Sequence, residues 1–173
     1  MRLFVNPNAS NLMSGTGTST STTTPATTQP LDSDPVSIKL TIVKGNHFPI
    51  EKRGPLLSDD IPDCYCRVKL NHSGGGTLND VEGIWRTSTV ENNCHPNWNE
   101  STEYHETTYG TTISISVYDE DKGRLDTDDY LGTTDVSVRS LIDFSNETEE
   151  IELNLIQHGK ISGPTLFVKC LVL

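Results

Sequence analysis

The sequence lacks any long apolar run and is poor in basic residues. No stretch reaches the roughly 18 consecutive apolar residues that a helix needs to span a bilayer. Only 13 Lys and Arg stand against 24 Asp and Glu, which gives a formal net charge of -11 at pH 7. A chain this acidic repels nucleic acid, and it repels anionic lipid unless a cation intervenes. Nucleic acid is therefore excluded as a partner.

The common catalytic signatures are also missing. The chain contains no G-x-S-x-G elbow, no G-x-x-x-x-G-K-[ST] phosphate loop and no H-E-x-x-H metal motif. Four of the histidines, His47, His72, His105 and His158, fall in no catalytic arrangement. A hydrolase that uses paired carboxylates is an alternative, but the sequence suggests neither a second pair nor a substrate cleft. We therefore expect that the protein is not an enzyme.

The N-terminal part has almost no residue able to anchor a core. Ser, Thr, Gly and Pro dominate residues 10–35, and "MRLFVNPNAS" is too short and too polar for the apolar region of a signal peptide. We predict a disordered leader or linker over residues 1–35 and one folded domain over 36–173. The four cysteines are expected to be free, buried thiols. These features favour a cytoplasmic protein, or a secreted one if a signal peptide is missing from this chain.

From Val36 onward the sequence alternates between apolar and polar residues in short segments. Val36, Ile38, Leu40 and Ile42 share one face of an extended chain. No helix longer than a turn or two is indicated, near "RSLIDF". The pattern predicts an all-β fold, an eight-stranded antiparallel β-sandwich. Its predicted strands are 36–43, 64–70, 84–90, 101–106, 112–119, 132–138, 149–156 and 165–173.

The stretch "YDEDKGRLDTDDYLG" concentrates six carboxylates around two basic residues. Asp119 and Asp121 directly follow a predicted strand, and a spacing of two puts both on one side of an extended chain. Oxygen ligands alone suit a hard cation, and Ca²⁺ accepts six to eight of them in irregular geometry. An EF-hand is excluded, because a twelve-residue count from Asp119 puts Arg124 at the required glycine and Tyr130 at the required Glu. A solvated acidic turn is the alternative.

Three segments in this order resemble the C2 domain family over residues 36–173. The acidic stretch resembles its third calcium loop, with Asp119, Asp121 and Asp129 at the ligand positions and Asp128 as an extra candidate. "DCYCRVKL" is similar to the family's Asp-Pro-Tyr-Val strand, which implies that Asp63 is the ligand from loop one. "RTSTVENNCHPNWNE" is similar to the strand and second loop that end in Asn-Pro-x-Trp-Asn-Glu.

The resemblance leaves one ligand of loop one open. A first aspartate usually precedes the Asp-Pro-Tyr motif by about six residues, and that position here is Leu57. Either Glu51, with an insertion after it, supplies the acid, or Asp59 or Asp60 does, and Glu51 and Asp60 are the preferred candidates. The strand order suggested by the sequence resembles the circularly permuted C2 domains of phospholipase C and perforin, called type II.

The resemblance implies a calcium-dependent module that binds anionic phospholipid membranes peripherally, as a monomer, with Ca²⁺ as its cofactor. Apolar residues at the loop tips would then contact the membrane, and the candidates are Leu56, Leu57, Ile61 and Leu125. The family also binds membranes without calcium through a lysine-rich strand. That mode is not expected here, because the corresponding strand has only Arg67 and Lys69. The alternative is a protein–protein interaction module with weak or structural calcium binding.

Overall fold

The computed structural model describes residues 29–52, 55, 58–71, 84–121, 127–146 and 148–173. Within these residues the chain forms eight strands and one short helix, so the predicted all-β class is confirmed. The elements are β1 (Pro35–Asn46), β2 (Cys64–Asn71), β3 (Trp85–Arg86), β4 (Asn97–Thr108), β5 (Thr112–Asp119), β6 (Asp129–Ser137), α1 (Val138–Ser145), β7 (Ile151–Gln157) and β8 (Lys160–Val172). Most of the predicted leader lies outside the described residues, and its boundary stays a prediction.

The strands form two layers that face each other across the core. The hydrogen-bonded order is β3-β2-β5-β6-β7-β8-β1-β4, and all pairs are antiparallel. The link between β6 and β7 is a single residue pair, Thr133 with Ile156, so the sheet folds over at that point. The first strand pairs with the last. The circular permutation suggested by the sequence stays a prediction.

The core consists of the inward-facing rows of the two layers. Ile38, Leu40 and Ile42 of β1 are fully buried and face Ile113 and Ile115 of β5 within one apolar cluster. Each buried aliphatic side chain contributes roughly 1.5–3 kcal/mol through the hydrophobic effect. The period-two pattern of the sequence is thus the pattern of burial.

One predicted strand is much shorter than expected. Of residues 84–90, only Trp85 and Arg86 form a strand. The ladder is interrupted because the Thr87 side-chain oxygen, rather than a backbone carbonyl, accepts from the Cys66 N–H at 2.9 Å. Pairing with β2 resumes at Val90, which exchanges two backbone hydrogen bonds with Cys64.

Most connections that carry acidic residues lie at one end of the sandwich, called here the loop end. Strands β1, β5 and β7 finish there, and β2, β4, β6 and β8 begin there. Helix α1 lies at the opposite end, where Ser137 caps it by accepting from the Ser140 N–H at 3.1 Å. No helix in the described part of the chain is long and apolar enough to cross a membrane.

The cysteines are unpaired, and three of them are buried. Burial raises the pKa of Cys66 and of Cys64, and it raises the pKa of Cys170 to about 11. Asp119 adds to the effect on Cys64, because its negative charge opposes a thiolate. These three thiols therefore stay protonated at neutral pH and are poor nucleophiles.

Trp98 joins the two layers close to the loop end. Its side chain is buried, and its indole N–H donates to the Cys64 carbonyl at 3.2 Å. Gly45 permits this packing, since a Cβ there would lie 2.3 Å from the Phe48 ring and 3.3 Å from the Trp98 ring. Trp98 is therefore an anchor of the core.

We expect Trp98→Phe to lower the free energy of unfolding by about 1–3 kcal/mol, because it removes a buried hydrogen bond and leaves a void. Urea unfolding followed by circular dichroism measures the change. Trp85→Phe on the short edge strand is the matched control and should cost less than half as much. Equal losses in the two variants would contradict the anchoring role of Trp98.

Candidate functional site

The pairing of β2 with β5 brings two predicted ligands together. Asp63 immediately precedes β2, and Asp119, the last residue of β5, pairs with Cys64. The Asp63 N–H donates to the Asp119 carboxylate at 2.6 Å, and the Glu120 N–H donates to the Asp63 carbonyl at 2.9 Å. The end of the first loop and the start of the third loop therefore lie side by side, although they are distant in sequence.

The Asp63 carboxylate also holds the loop between β3 and β4. Its Oδ1 accepts from the Asn92 N–H at 2.7 Å, where Asn92 adopts the left-handed conformation with φ 51°. The Asn93 N–H donates to the Pro62 carbonyl at 3.0 Å. The Asp63 side chain and the Pro62 backbone therefore hold the loop between β3 and β4 against loop one.

The two candidates for the remaining ligand of loop one are neighbours. Glu51 and Asp60 exchange backbone hydrogen bonds of 3.0 and 2.9 Å in an isolated antiparallel bridge. Directly opposite residues of such a pair project their side chains to the same side. The choice that the sequence left open is thus between two acids that lie side by side.

The Asp119 carboxyl is the electrostatic centre of the acidic residues. Its partial burial raises its pKa above the usual 3.8, and the hydrogen bond from the Asp63 N–H opposes that rise. The negative charges of Asp121, Asp60 and Asp63 raise the pKa further. We call these four residues, Asp60, Asp63, Asp119 and Asp121, the acidic cup. Their mutual repulsion is the kind that a bound cation relieves.

Asp129 and Asp128 differ in their surroundings at the start of β6. Asp129 is directly opposite Asp119 in the ladder, so its side chain projects to the same side of the sheet as that of Asp119. Asp128 instead accepts from the Tyr65 hydroxyl at 2.5 Å and lies 3.8 Å from the Arg67 guanidinium. The structure therefore brings Asp129 toward the cup and not Asp128, whose role as an extra ligand stays a prediction.

Two arginines occupy the outer face of the same layer. Tyr65 stacks on Tyr118 with ring centroids 5.5 Å apart, and the Arg86 guanidinium lies 3.7 Å from the centre of the Tyr65 ring. Arg86 also pairs with Glu120 at 2.5 Å. Burial, followed by the hydrogen bond to Asp128, raises the pKa of Tyr65 to about 12. Arg67 and Arg86 thus contact acids at the ends of the third loop, contacts that no local sequence signal indicated.

The predicted membrane-contact residues are only partly within the described structure. Ile61 is 38% exposed beside Asp60, whereas Leu56, Leu57 and Leu125 lie outside the described residues. Ile50, which the sequence reasoning missed, is 43% exposed next to Glu51. The apolar residue directly before a candidate ligand was the available signal.

The donor set fits calcium in its chemistry. The cup offers carboxylate oxygens, which a hard divalent cation prefers. Its negative charges repel one another, and a bound cation would offset that repulsion. Within the described residues no three Asp, Glu, His or Cys side chains converge closely enough to hold a metal as they stand. A bound ion would therefore need the carboxylates to draw together or further oxygen donors.

An antiparallel β-sandwich with acidic loops at one end is the architecture defined so far. The sequence profile of the C2 domain family matches residues 36–155. The chain belongs to the C2 domain family, as the three motifs indicated. Domains of this family are typically non-catalytic binding modules, and many bind calcium and phospholipid. Among curated proteins, none matches the chain.

Solved C2 domain structures share the fold. A C2 domain of plant extended synaptotagmin 1 is 16% identical with a TM-score of 0.57, over 84% of this chain and 96% of that one. A structure of two C2 domains of extended synaptotagmin 2, solved with calcium bound, is 17% identical with a TM-score of 0.55. The match covers 83% of this chain and 47% of that one. Human GIVD cytosolic phospholipase A2 is 18% identical with a TM-score of 0.52, and the match covers 83% of this chain but 18% of the enzyme. At these identities the similarity shows the fold alone.

We expect Asp119→Asn to stabilise the calcium-free protein at neutral pH, since it removes a partly buried charge repelled by three others. The raised pKa means that the folded protein holds this proton to higher pH than the unfolded chain does. Stability therefore falls as the pH rises from about the usual 3.8 through the raised pKa. Melting temperatures in EDTA across this range measure the effect.

The advantage of the variant should vanish as the pH falls below the usual Asp value. Asp143→Asn, an equal change of charge at an exposed position of α1, is the control and should not stabilise the calcium-free protein. If Asp119→Asn were destabilising at neutral pH, the repulsion assigned to the acidic cup would be wrong.

Proposed function

We propose that the protein is a calcium-dependent phospholipid-binding module that attaches to anionic membranes through its loop end. One observation carries the proposal. Three acids from loop one and from the end of β5 act together on the pKa of a fourth, Asp119. Such a concentration of negative charge is a standing cost to the calcium-free fold, and it is useful if a cation occupies it.

Calcium is the cation that the donor set supports best. The cup, with Asp129 beside it and Glu51 paired with Asp60 in loop one, supplies carboxylate oxygens from separate segments of the chain. Ca²⁺ tolerates irregular coordination by six to eight oxygens, whereas Mg²⁺ demands a near-ideal octahedron. Asp128 would join only by leaving Tyr65 and Arg67.

The partner follows from charge. A chain with a net charge of -11 is repelled by an anionic bilayer unless its loop end becomes positive. Bound calcium supplies that positive charge and coordination positions that lipid phosphate or carboxylate oxygens can fill. Ile50 and Ile61, exposed beside the acids, add contact with the acyl region, and full burial of each is worth at most roughly 1.5–3 kcal/mol.

The protein would therefore act as a monomeric, non-catalytic targeting module that is cytoplasmic and binds membranes peripherally. The C2 family membership supports binding rather than catalysis, because domains of this family are typically binding modules. On the outer face of β2 and β3, Arg67 lies near Asp128 and Arg86 near Glu120, so these two cations face acids of the chain itself.

The test is sedimentation with vesicles of phosphatidylserine and phosphatidylcholine, with calcium or with EDTA. The wild-type protein should pellet with calcium alone. Asp119→Asn combined with Asp121→Asn should abolish pelleting without unfolding the protein, because it removes two negative ligands. Asp143→Asn combined with Glu152→Gln changes the charge equally away from the cup and should pellet normally.

Normal pelleting of the Asp119 and Asp121 double variant would show that the site is assigned wrongly. If the wild type instead gains thermal stability with calcium yet never pellets, the protein–protein interaction module with structural calcium would replace this proposal. Circular dichroism of each variant confirms that loss of pelleting is not loss of fold.

A further inference from the structure

The turn between β7 and β8 is tight and well defined. Gln157 pairs with Lys160, and the two residues between them both have positive φ, 51° at His158 and 73° at Gly159. Positive φ at both central positions is the type I′ turn, whose twist matches that of the flanking strands. The strands are therefore paired up to the tip of this hairpin, after a register shift between Asn154 and Ile156.

The hairpin lies at the loop end, against the strand that follows the third loop. The Gln157 side-chain amide donates to the Tyr130 carbonyl at 2.8 Å, and the Tyr130 hydroxyl contacts the Ile156 carbonyl at 3.5 Å. Tyr130 directly follows Asp129, which pairs with Asp119 of the acidic cup. The hairpin and the cup are thus joined through one residue of β6.

The outward face of β7 changes character as it approaches this end. Glu152 and Asn154 are exposed polar residues, whereas the next outward residue, Ile156, is apolar and 44% exposed. Ile161 pairs directly with Ile156 and is 68% exposed, so the two side chains project to the same side. Tyr130 beside them is 39% exposed. The exposed parts of these two aliphatic side chains contribute nothing to the folding of this chain through burial.

The tip also carries positive charge on an otherwise acidic chain. That charge is on Lys160, which is exposed at the turn. Lysine near an anionic bilayer surface is attracted to it, and exposed aliphatic residues beside it favour the boundary between headgroups and acyl chains. The positive charge and the exposed apolar side chains of the hairpin together fit an anionic bilayer better than an acidic protein surface.

We propose that this hairpin, residues 156–161, is a further membrane-contact element that seats Ile156 and Ile161 in an anionic bilayer while Lys160 meets lipid phosphate. The proposal rests on the proposed function, because calcium binding at the cup turns the loop end toward the membrane. It extends the contact to the layer of β7 and β8, away from the acidic loops. Two separated contacts would fix the orientation of the domain on the bilayer, which one cluster of loops does less well.

The experiment measures partition onto phosphatidylserine and phosphatidylcholine vesicles at saturating calcium. Ile156→Thr combined with Ile161→Thr retains β-branched residues and so keeps the strands. We expect partition to weaken about tenfold, since two shallow aliphatic contacts are lost. Calcium affinity, measured by calorimetry without lipid, should stay unchanged. Leu171→Thr combined with Val172→Thr, exposed positions at the far end of the same β8, is the matched control.

A second variant reports position directly. The indole of Ile161→Trp should be quenched by brominated lipid when calcium and vesicles are present, beyond the quenching of the native Trp85 and Trp98. This readout needs no loss of function, so it remains decisive if the threonine variant fails to fold.

The outcomes separate the two proposals. If the wild type does not pellet with calcium, the proposed function fails. If it pellets and the threonine variant partitions equally, or the added indole is not quenched, the function stands and the hairpin contact is overturned. A change of sedimentation coefficient in the threonine variant without lipid would identify the face as a contact between copies and would also overturn the proposal.

Discussion

The antiparallel pairing of β2 with β5 is the constraint on which both the core and the site depend. Its register puts Asp119 opposite Cys64, and the same row of β5 carries Ile115 and Val117 into the core. Asp119 is therefore the next core-facing position, just past the edge of the apolar cluster. A slip of one residue would turn every side chain of β5 to the other face. One register thus buries the aliphatic row and half-buries the carboxyl at its end.

This placement explains the electrostatics of the loop end. Asp119 is partly desolvated because it continues a buried row, and its neighbours in the cup add repulsion of like charge. On the outer face of the same strands, Arg67 and Arg86 approach Asp128 and Glu120. The third loop is therefore held from outside by cations, while carboxylates repel one another inside.

Hydrogen bonding makes the acidic loops depend on one another. The Asp63 backbone and side chain contact Asp119, Glu120 and Asn92, which belong to two further connections. Movement of one loop therefore changes the hydrogen bonds of the other two. The β7–β8 hairpin takes part indirectly, because Gln157 bonds the backbone next to Asp129. The loop end is a linked set of connections rather than four separate turns.

The sequence by itself determined the fold class, most strand positions and the family, because alternation and short motifs are local properties of the chain. It also named the acids that end or precede strands, such as Asp63 and Asp119. Tertiary structure alone decided that Glu51 lies beside Asp60, that Asp128 turns to Tyr65, and that the hairpin of Ile156 and Ile161 shares an end with the acids. These facts depend on strand register and on contacts between residues distant in sequence. A local sequence pattern does not show which distant charge, or which face of another element, a side chain will contact in the fold.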